Sequence, residues 1–305
     1  MKSKFNFLVI GLGTQGVKRS KIDTKNLVGA VDPVNKLAKY RYIKDVPLEK
    51  FNSAYVCTPD DKKIKIIEYL IKNKKNVLVE KPLLSSDKKI KNLYALAKKN
   101  KCILYIAYNH RFEPFLIKAK KLLKKNKIGK IYLCNMFYGN GTSLLVKKSV
   151  WKDKRKGALS DLGSHLLDLS FWLLELKSQT RFKKLISKKF ENKSPDYALL
   201  TNQSGDTKIN LEMTYCMWRN SFKLDIIGKL GSLHMDSLCK WGPSTLILRR
   251  RTKPSGLPKS KIFKLKSSDP TWKIEHEYFK KLTQKPCNFK DEVKNIWINK
   301  VIRKI

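Results

Sequence analysis

The feature that most restricts how this chain can fold is the run FNFLVIGLGTQG at residues 5–16. Its apolar first half reads as a buried β-strand. The strand runs directly into three glycines, Gly11, Gly13 and Gly16, with Thr14 and Gln15 between the last two. The first glycine permits a tight turn, the second lets a pyrophosphate approach the backbone, and the third lets the following helix pack close to the strand. The N-terminus of that helix favours an anion. A second strand-like run, LVGAVD (27–32), ends on Asp32. A carboxylate at that place binds adenine-ribose hydroxyls and repels a 2′-phosphate. The expected cofactor is therefore NAD, with NADP as the alternative. The residues that follow Asp32, PVNK, offer only Lys36 as a phosphate partner.

The alternation continues through the first third of the chain. Strand patterns at SAYVCTP (53–59), NVLVEKP (76–82) and CILYIAYN (102–109) are separated by amphipathic helical patterns at 61–74 and 85–100. Strands alternating with helices predict a parallel, doubly wound sheet. Beyond RFEP (111–114) and one helix at 115–126 the character changes. Strand-like runs at 130–139, 207–218, 222–236 and 244–251 follow one another with turn residues between them. That pattern predicts a second, mostly antiparallel sheet. The expected fold is α/β: a dinucleotide-binding domain over 1–114 and an α+β domain over 115–305. A late helix is expected at 269–282.

The formal net charge of +42 raises the question of a polyanionic partner. Of the 67 cationic residues only 10 are arginine, the preferred bidentate reader of phosphate and guanine. The lysines are spread along the whole chain rather than gathered into a tail or stripe. No nucleic-acid partner is expected. A general positive field toward anionic metabolites is the milder consequence. The six cysteines form no CxxC pair and no zinc spacing, so no metal is expected and reduced thiols are. No run is long and apolar enough to span a membrane. The basic, apolar start passes straight into the glycine turn without a small-residue cleavage site, which points to a cytoplasmic protein.

Two further stretches carry chemistry. VEKPL places Glu80, Lys81 and Pro82 at the carboxyl end of a strand, where ligands bind in open α/β sheets. SDLGSHLLDLSFWLLEL (160–176) puts Asp161, His165 and Asp168 within about 60° of one another on an otherwise apolar helix. Two readings of that stripe stand side by side. Asp161 is an N-cap and His165 a core histidine, or the two form a proton-transfer pair. Asp168, further from the helix start, reads as a structural ion pair or hydrogen bond. Tyr108, His110 and Arg111 follow the fifth strand, where contact with a cofactor and simple packing are equally consistent with the pattern.

Taken in order, the glycine turn, CTP, VEKPL, YNHRFEP and GALSDLGSHLLDL make the chain resemble the Gfo/Idh/MocA family of nicotinamide-dependent oxidoreductases, essentially over its whole length. The resemblance implies a Rossmann N-terminal domain and a C-terminal domain whose large open sheet often mediates contacts in a homo-oligomer, a dimer or a tetramer. It implies that Lys81 is an active-site lysine, that His165 transfers a proton and that Asp161 supports it. It implies that Gly11, Gly13, Thr14, Gln15, Gly16, Asp32, Thr58, Pro59, Glu80, Lys81, Asn109 and Arg111 face the cofactor. Trp151, with Gly157, matches the loop before the Asp and His, and Trp151, Lys81, Asp161 and His165 would contact substrate. The expected activity is interconversion of a hydroxyl and a ketone on a sugar, polyol or nucleotide sugar, in surface-polysaccharide sugar metabolism. A non-catalytic dinucleotide-binding sensor of the same fold is the alternative. The sequence departs from the family pattern at Lys63, where a histidine often stands four positions after the proline of CTP. It departs again at KGA (156–158), where three glycines are usual.

Overall fold

The computed structural model describes residues 5–149, 153, 156–203, 205–284 and 291–305. The chain divides into two compact units: Met1–Asn109 with Trp272–Lys300, and His110–Thr271 with Val301–Ile305.

The first unit is built on a five-stranded parallel sheet of β1 (Phe7–Ile10), β2 (Leu27–Val31), β3 (Ser53–Val56), β4 (Asn76–Glu80) and β5 (Leu104–Ala107), in the order β2-β1-β3-β4-β5. Strands β1, β3 and β5 are buried along their full length, and β4 is buried from Val77 onward. That is the reason these runs lack polar alternation: a parallel sheet is covered on both faces. The helices α1 (Thr14–Ser20), α2 (Asp60–Lys72) and α3 (Asp87–Lys99) connect the strands. In α2 and α3 the periodic apolar residues Ile67, Leu70 and Ile71, and Ile90, Leu93 and Ala97, are buried, together with Lys63 and Tyr94. Ser86 caps α3 by accepting from the Lys89 N–H, which satisfies one of the helix's orphan donors. The strand order reverses at β1, so the carboxyl ends of β1 and β3 flank a topological switch point, where ligands bind such sheets.

The first unit takes back a late part of the chain. Helix α7 (Thr271–Thr283) packs Phe279 into the cluster of Phe5, Phe7, Tyr55 and Tyr105. The sequence pattern assigned everything after residue 114 to the second domain. The physical reason for the difference is that α7 has a strongly amphipathic face, and one face of the sheet, across β1, β3 and β5, offers the aromatic surface that covers it. Tyr55 and Asp23 complete the anchorage through the buried His276, at 2.7 and 3.2 Å. A last helix, α8 (Glu292–Lys304), closes the chain.

In the second unit, α4 (Pro114–Lys124), the short α5 (Ser143–Lys147) and α6 (Ser164–Leu173) accompany an eight-stranded sheet. Its strands are β6 (Ile131–Gly139), β7 (Phe182–Lys188), β8 (Tyr197–Asn202), β9 (Lys208–Thr214), β10 (Ser221–Gly228), β11 (Gly231–Asp236), β12 (Ser244–Arg250) and β13 (Lys259–Leu265). The order is β13-β12-β11-β10-β6-β9-β8-β7, antiparallel except for the central β6–β9 pair. One face is buried: Cys134, Met136 and Tyr138 on β6, Leu211 and Met213 on β9, Phe222, Leu224 and Ile226 on β10. Residues between them are partly exposed, the alternation expected of a sheet with one covered face. Helix α6 and the turn before it lie against β6 and β9 on the covered side.

The run at 222–236 is a hairpin, not one strand: β10 and β11 meet at Gly228 and Gly231. The sequence pattern also missed β7, β8 and β13. The edge strands β7 (FKKLISK) and β13 (KSKIFKL) carry the lysines that protect unpaired edges, and those lysines break the apolar alternation. Among the described residues no helix is long and apolar enough to cross a membrane.

Candidate functional site

In the first unit the glycine turn has the geometry its spacing implies. Gly11 has φ of +91°, and a Cβ there would sit 2.9 Å from the Cys57 carbonyl oxygen. A Cβ on Gly16 would sit 1.8 Å from the Gly11 carbonyl oxygen. A Cβ on Gly13 would meet nothing within 4 Å. The three glycines therefore do different work: two permit close packing within the protein, and Gly13 leaves open space at the start of α1, beside Thr14 and Gln15. Two alanine substitutions are expected to separate these roles. Gly16→Ala should destabilise the fold, lowering the midpoint of thermal unfolding. Gly13→Ala should leave that midpoint in place and weaken NADH binding, read by nicotinamide fluorescence.

Asp32 stands just past β2, partly exposed. Its carboxylate accepts from the backbone N–H of Leu12 at 2.7 Å, Asn35 at 2.8 Å and Val34 at 2.9 Å. Burial pushes this carboxyl up, but those N–H groups and the Arg41 guanidinium outweigh it and hold the group below the usual carboxylate range. It is an ionised acceptor fixed at the open end of the sheet. Arg41 lies beyond the PVNK segment in sequence, and no local pattern announced it. Its Nη1 donates to the Asn35 carbonyl at 3.0 Å. Thr58 follows β3 directly, with Pro59 leading into α2. Its buried hydroxyl finds no hydrogen-bond partner among the described residues. Open space over Gly13, an ionised Asp32 and an unsatisfied Thr58 hydroxyl at the switch point fit a dinucleotide.

Glu80 and Lys81 sit at the end of β4. Glu80 turns inward: its Oε1 accepts from Arg19 Nε at 2.8 Å, and Arg19 Nη2 donates to Glu275 Oε2 at 2.6 Å. The Arg19 guanidinium is fully buried and lies 4.3 Å from the ring centre of Trp272. Lys81 is partly exposed. The carbonyls of the residues before and after it, Glu80 and Pro82, both accept from the buried Lys63 ammonium. Asn109 is buried at the end of this unit, at the start of a short turn, Asn109–Phe112.

In the second unit, the stripe read as one regular helix begins differently. Leu159–Gly163 forms a wide i→i+5 turn, and α6 starts only at Ser164. Asp161 lies inside that turn rather than capping a helix. Such turns mark departures from the regular ladder and occur often at functional sites. Gly157, just before it, has φ of +50°, and a Cβ there would sit 1.9 Å from the Pro195 carbonyl oxygen. Trp151 lies outside the described residues.

The buried His165 ring stacks on His110, 3.9 Å between ring centres and 19° between planes. Tyr138 flanks both rings at 6.0 and 5.3 Å. The Lys240 ammonium approaches His110 Nε2 at 3.1 Å. Tyr215 donates its hydroxyl proton to Asp161 Oδ2 at 3.3 Å. Burial, then the Asp161 charge and hydrogen bond, push the Tyr215 hydroxyl well above its ordinary pKa, so it remains a donor. Burial and the Asp161 charge do the same to Tyr138. Asp168 is taken by Arg111 in a two-pronged pair, 2.7 Å from Nε and 2.9 Å from Nη2, which is the structural ion pair expected for it. Arg111 and His110 are thereby placed in the second unit, beside the polar stripe. Tyr215, Tyr138 and Lys240 join the cluster without any motif. In sequence they read as ordinary strand aromatics and one more lysine.

A family model described as an NAD-binding Rossmann-fold oxidoreductase family matches residues 5–108. A Gfo/Idh/MocA C-terminal domain model matches residues 116–234. The fold and both matches define a two-domain nicotinamide oxidoreductase architecture. The chain belongs to the Gfo/Idh/MocA family. It is similar to glucose-6-phosphate 3-dehydrogenase of Bacillus subtilis, 29% identical over 106 residues, covering 33% of this chain and 30% of that protein. The chain thus matches about a third of the length of such curated relatives. Its fold is similar to that of levoglucosan dehydrogenase in complex with NADH, with a TM-score of 0.83 at 16% identity, covering 99% of this chain and 96% of that one. It is also similar to UDP-N-acetylglucosamine 3-dehydrogenase from Acidithiobacillus ferrooxidans, with a TM-score of 0.80 at 16% identity, covering 98% and 96%.

Proposed function

We propose that this protein is a nicotinamide-dependent dehydrogenase that interconverts a hydroxyl and a ketone on a sugar, polyol or nucleotide sugar. The observation that carries the reading is the polar cluster around His165. Two imidazoles, a carboxylate and two tyrosines gather on the covered face of an apolar sheet, where aliphatic side chains would pack at lower cost. A buried cluster of that composition suits proton transfer near neutral pH.

His165 accepts the hydroxyl proton of the substrate, and stacking on His110 fixes its ring plane. Asp161, anchored by Tyr215, stabilises the imidazolium that results. Lys81 donates to the nicotinamide ribose and to oxygen that develops negative charge. The dinucleotide, when bound, supplies the hydride acceptor at its nicotinamide ring. Gly11 and Gly16 would shape the turn in which Gly13, Thr14 and Gln15 hold its pyrophosphate, and Thr58 with Pro59 would line the same edge. Asp32 takes the adenine ribose and sets the preference for NAD over NADP. Glu80, Asn109 and Arg111 shape the surroundings of that site, and Trp151 contacts substrate.

Among the substrate classes, nucleotide sugars destined for surface polysaccharide come first. The net charge of +42 draws anionic substrates, and one structural relative carries the name of a UDP-sugar dehydrogenase. The protein works as a homo-oligomer in the reducing cytoplasm, in keeping with the free thiols of Cys57, Cys102, Cys134, Cys216 and Cys239.

A panel of nucleotide sugars, sugar phosphates, free sugars and polyols, each with NAD and NADP, tests this by absorbance of the reduced nicotinamide. At least one nucleotide sugar is expected to turn over, with NAD preferred by about tenfold or more, the cost of one unfavourable charge contact. Firm NADH binding with no turnover of any member would replace this reading with that of a sensor.

A further inference from the structure

We infer that Lys63 is a positioning residue that fixes the direction of Lys81, by clamping the carbonyls of the residues before and after it. The inference rests on the role proposed for Lys81, and it goes beyond that role to a residue with no place in the family pattern.

The Lys63 side chain is buried, its residue only 2% exposed. Lysine is almost never buried to that degree unless its charge is matched. Its three N–H donors meet three acceptors: Asp60 Oδ1 at 2.6 Å, the Glu80 carbonyl at 2.6 Å and the Pro82 carbonyl at 3.1 Å. Charge balance needs only Asp60, one helical turn away, and an ion pair of that spacing forms equally well in water. The burial therefore serves the two carbonyls. Strand β4 ends at Glu80, so the Pro82 carbonyl lies beyond the ladder and gains its fixed place from the ammonium.

Those two carbonyls belong to the residues immediately before and after Lys81. Holding both to one nitrogen restrains the peptide that enters Lys81 and the one that leaves Pro82. These two planes bracket the Lys81–Pro82 unit, whose proline ring limits rotation between them, and so restrain the direction of the Lys81 Cα–Cβ bond. Glu80 is held a second time through its side chain by Arg19. The same ammonium ties this segment to Asp60 in the first turn of α2, which follows Thr58 and Pro59. One buried cation thus links the Thr58–Pro59 turn to the segment that carries Lys81. An imidazole, with two nitrogens in one plane, offers no equivalent three-way clamp.

The test compares Lys63→Met with Lys63→Arg in the full chain. In Lys63→Met, amide hydrogen exchange at Lys81, Leu83 and Leu84 is expected to speed up at least about tenfold without cofactor, while exchange within β4 and β3 stays unchanged. Turnover per NADH-binding site is expected to fall about 10- to 100-fold with little change in KM, the usual cost of a misplaced group. Lys81→Met added to Lys63→Met is expected to cost less than it does alone. Lys63→Arg, which keeps a buried cation with several donors, should recover part of both readouts. Unchanged exchange at Lys81, Leu83 and Leu84 would overturn the clamp, as would exchange raised evenly across the sheet. Full additivity of the two substitutions would overturn it as well. If Lys63→Met does not fold, Lys63→Gln is read by the same exchange and coupling criteria. Lys81→Met with unaltered turnover would remove the catalytic role of Lys81 instead, and the exchange result would still decide whether the clamp exists.

Discussion

His165→Ala is expected to lower turnover by about 10²- to 10⁴-fold, the range for removing a positioned general base. NADH affinity, measured by fluorescence titration, should stay within about twofold, because the residues proposed to hold the dinucleotide, Arg111 aside, lie in the first unit. The loss should appear in kcat and kcat/KM together, as for a group that acts in the transition state. His110→Ala makes an informative companion. It removes the stacked ring at 3.9 Å but not the base, so a smaller loss is expected. Tyr215→Phe deletes the donor to Asp161 and should raise the pH at which turnover reaches its plateau. With one fewer hydrogen bond, the carboxylate carries more negative charge and stabilises the imidazolium more, so a higher pH is needed to free the base. Turnover of His165→Ala equal to that of the parent chain would remove the proton-transfer assignment.

Much of the first unit was legible because its signals are local. A buried parallel strand must be apolar along its length, and a tight dinucleotide turn must be glycine. Both requirements are written in consecutive residues, as FNFLVIGLGTQG shows. The second unit was legible mainly at its centre. Strands β6, β9, β10 and β12 alternate cleanly, whereas lysine-rich β7 and β13 hid theirs. The polar stripe was visible as residue types but not as geometry. The 100° per residue of a regular helix placed Asp161 beside His165, yet Asp161 sits in a wider turn, where that arithmetic does not apply. Its partner Tyr215 comes from the end of β9, 54 residues away. The same holds for Lys240 beside His110, 130 residues apart. Contacts at such separations depend on sheet order, which hydrophobic period does not encode. Glu80 is a third case. At the end of a strand it reads as a ligand contact, but its carboxylate is held by Arg19 inside the unit.

That inward arrangement sets the largest stability effect expected in the molecule. Arg19→Met should destabilise the first unit by about 3–5 kcal/mol, the usual cost of breaking a buried ion pair from one side. A fall in the unfolding midpoint on the order of 10 °C would accompany it. The fully buried guanidinium faces two carboxylates, Glu80 at 2.8 Å and Glu275 at 2.6 Å, and removing it leaves both without their cation. Tyr105, donating to Glu275 Oε1 at 3.0 Å, cannot replace that charge. The defect should depend on pH in a defined direction. Burial pushes the Glu275 carboxyl up to about 7 even with Arg19 in place, and without Arg19 it rises further. A carboxyl raised above its unfolded value binds its proton more tightly in the folded state. Folded stability therefore falls as pH rises from the unfolded value, near 4.5, through the folded one. The difference in midpoint between the parent chain and Arg19→Met should be widest near pH 8 and should narrow toward pH 5, where protonation neutralises the uncompensated Glu275. Arg19→Lys keeps the charge but not the fork that reaches both carboxylates, so it should recover only part of the loss. Thermal melts of the three chains across that range decide the matter: a deficit that is constant with pH would show that packing against Trp272, and not the charge of Arg19, is what the unit loses.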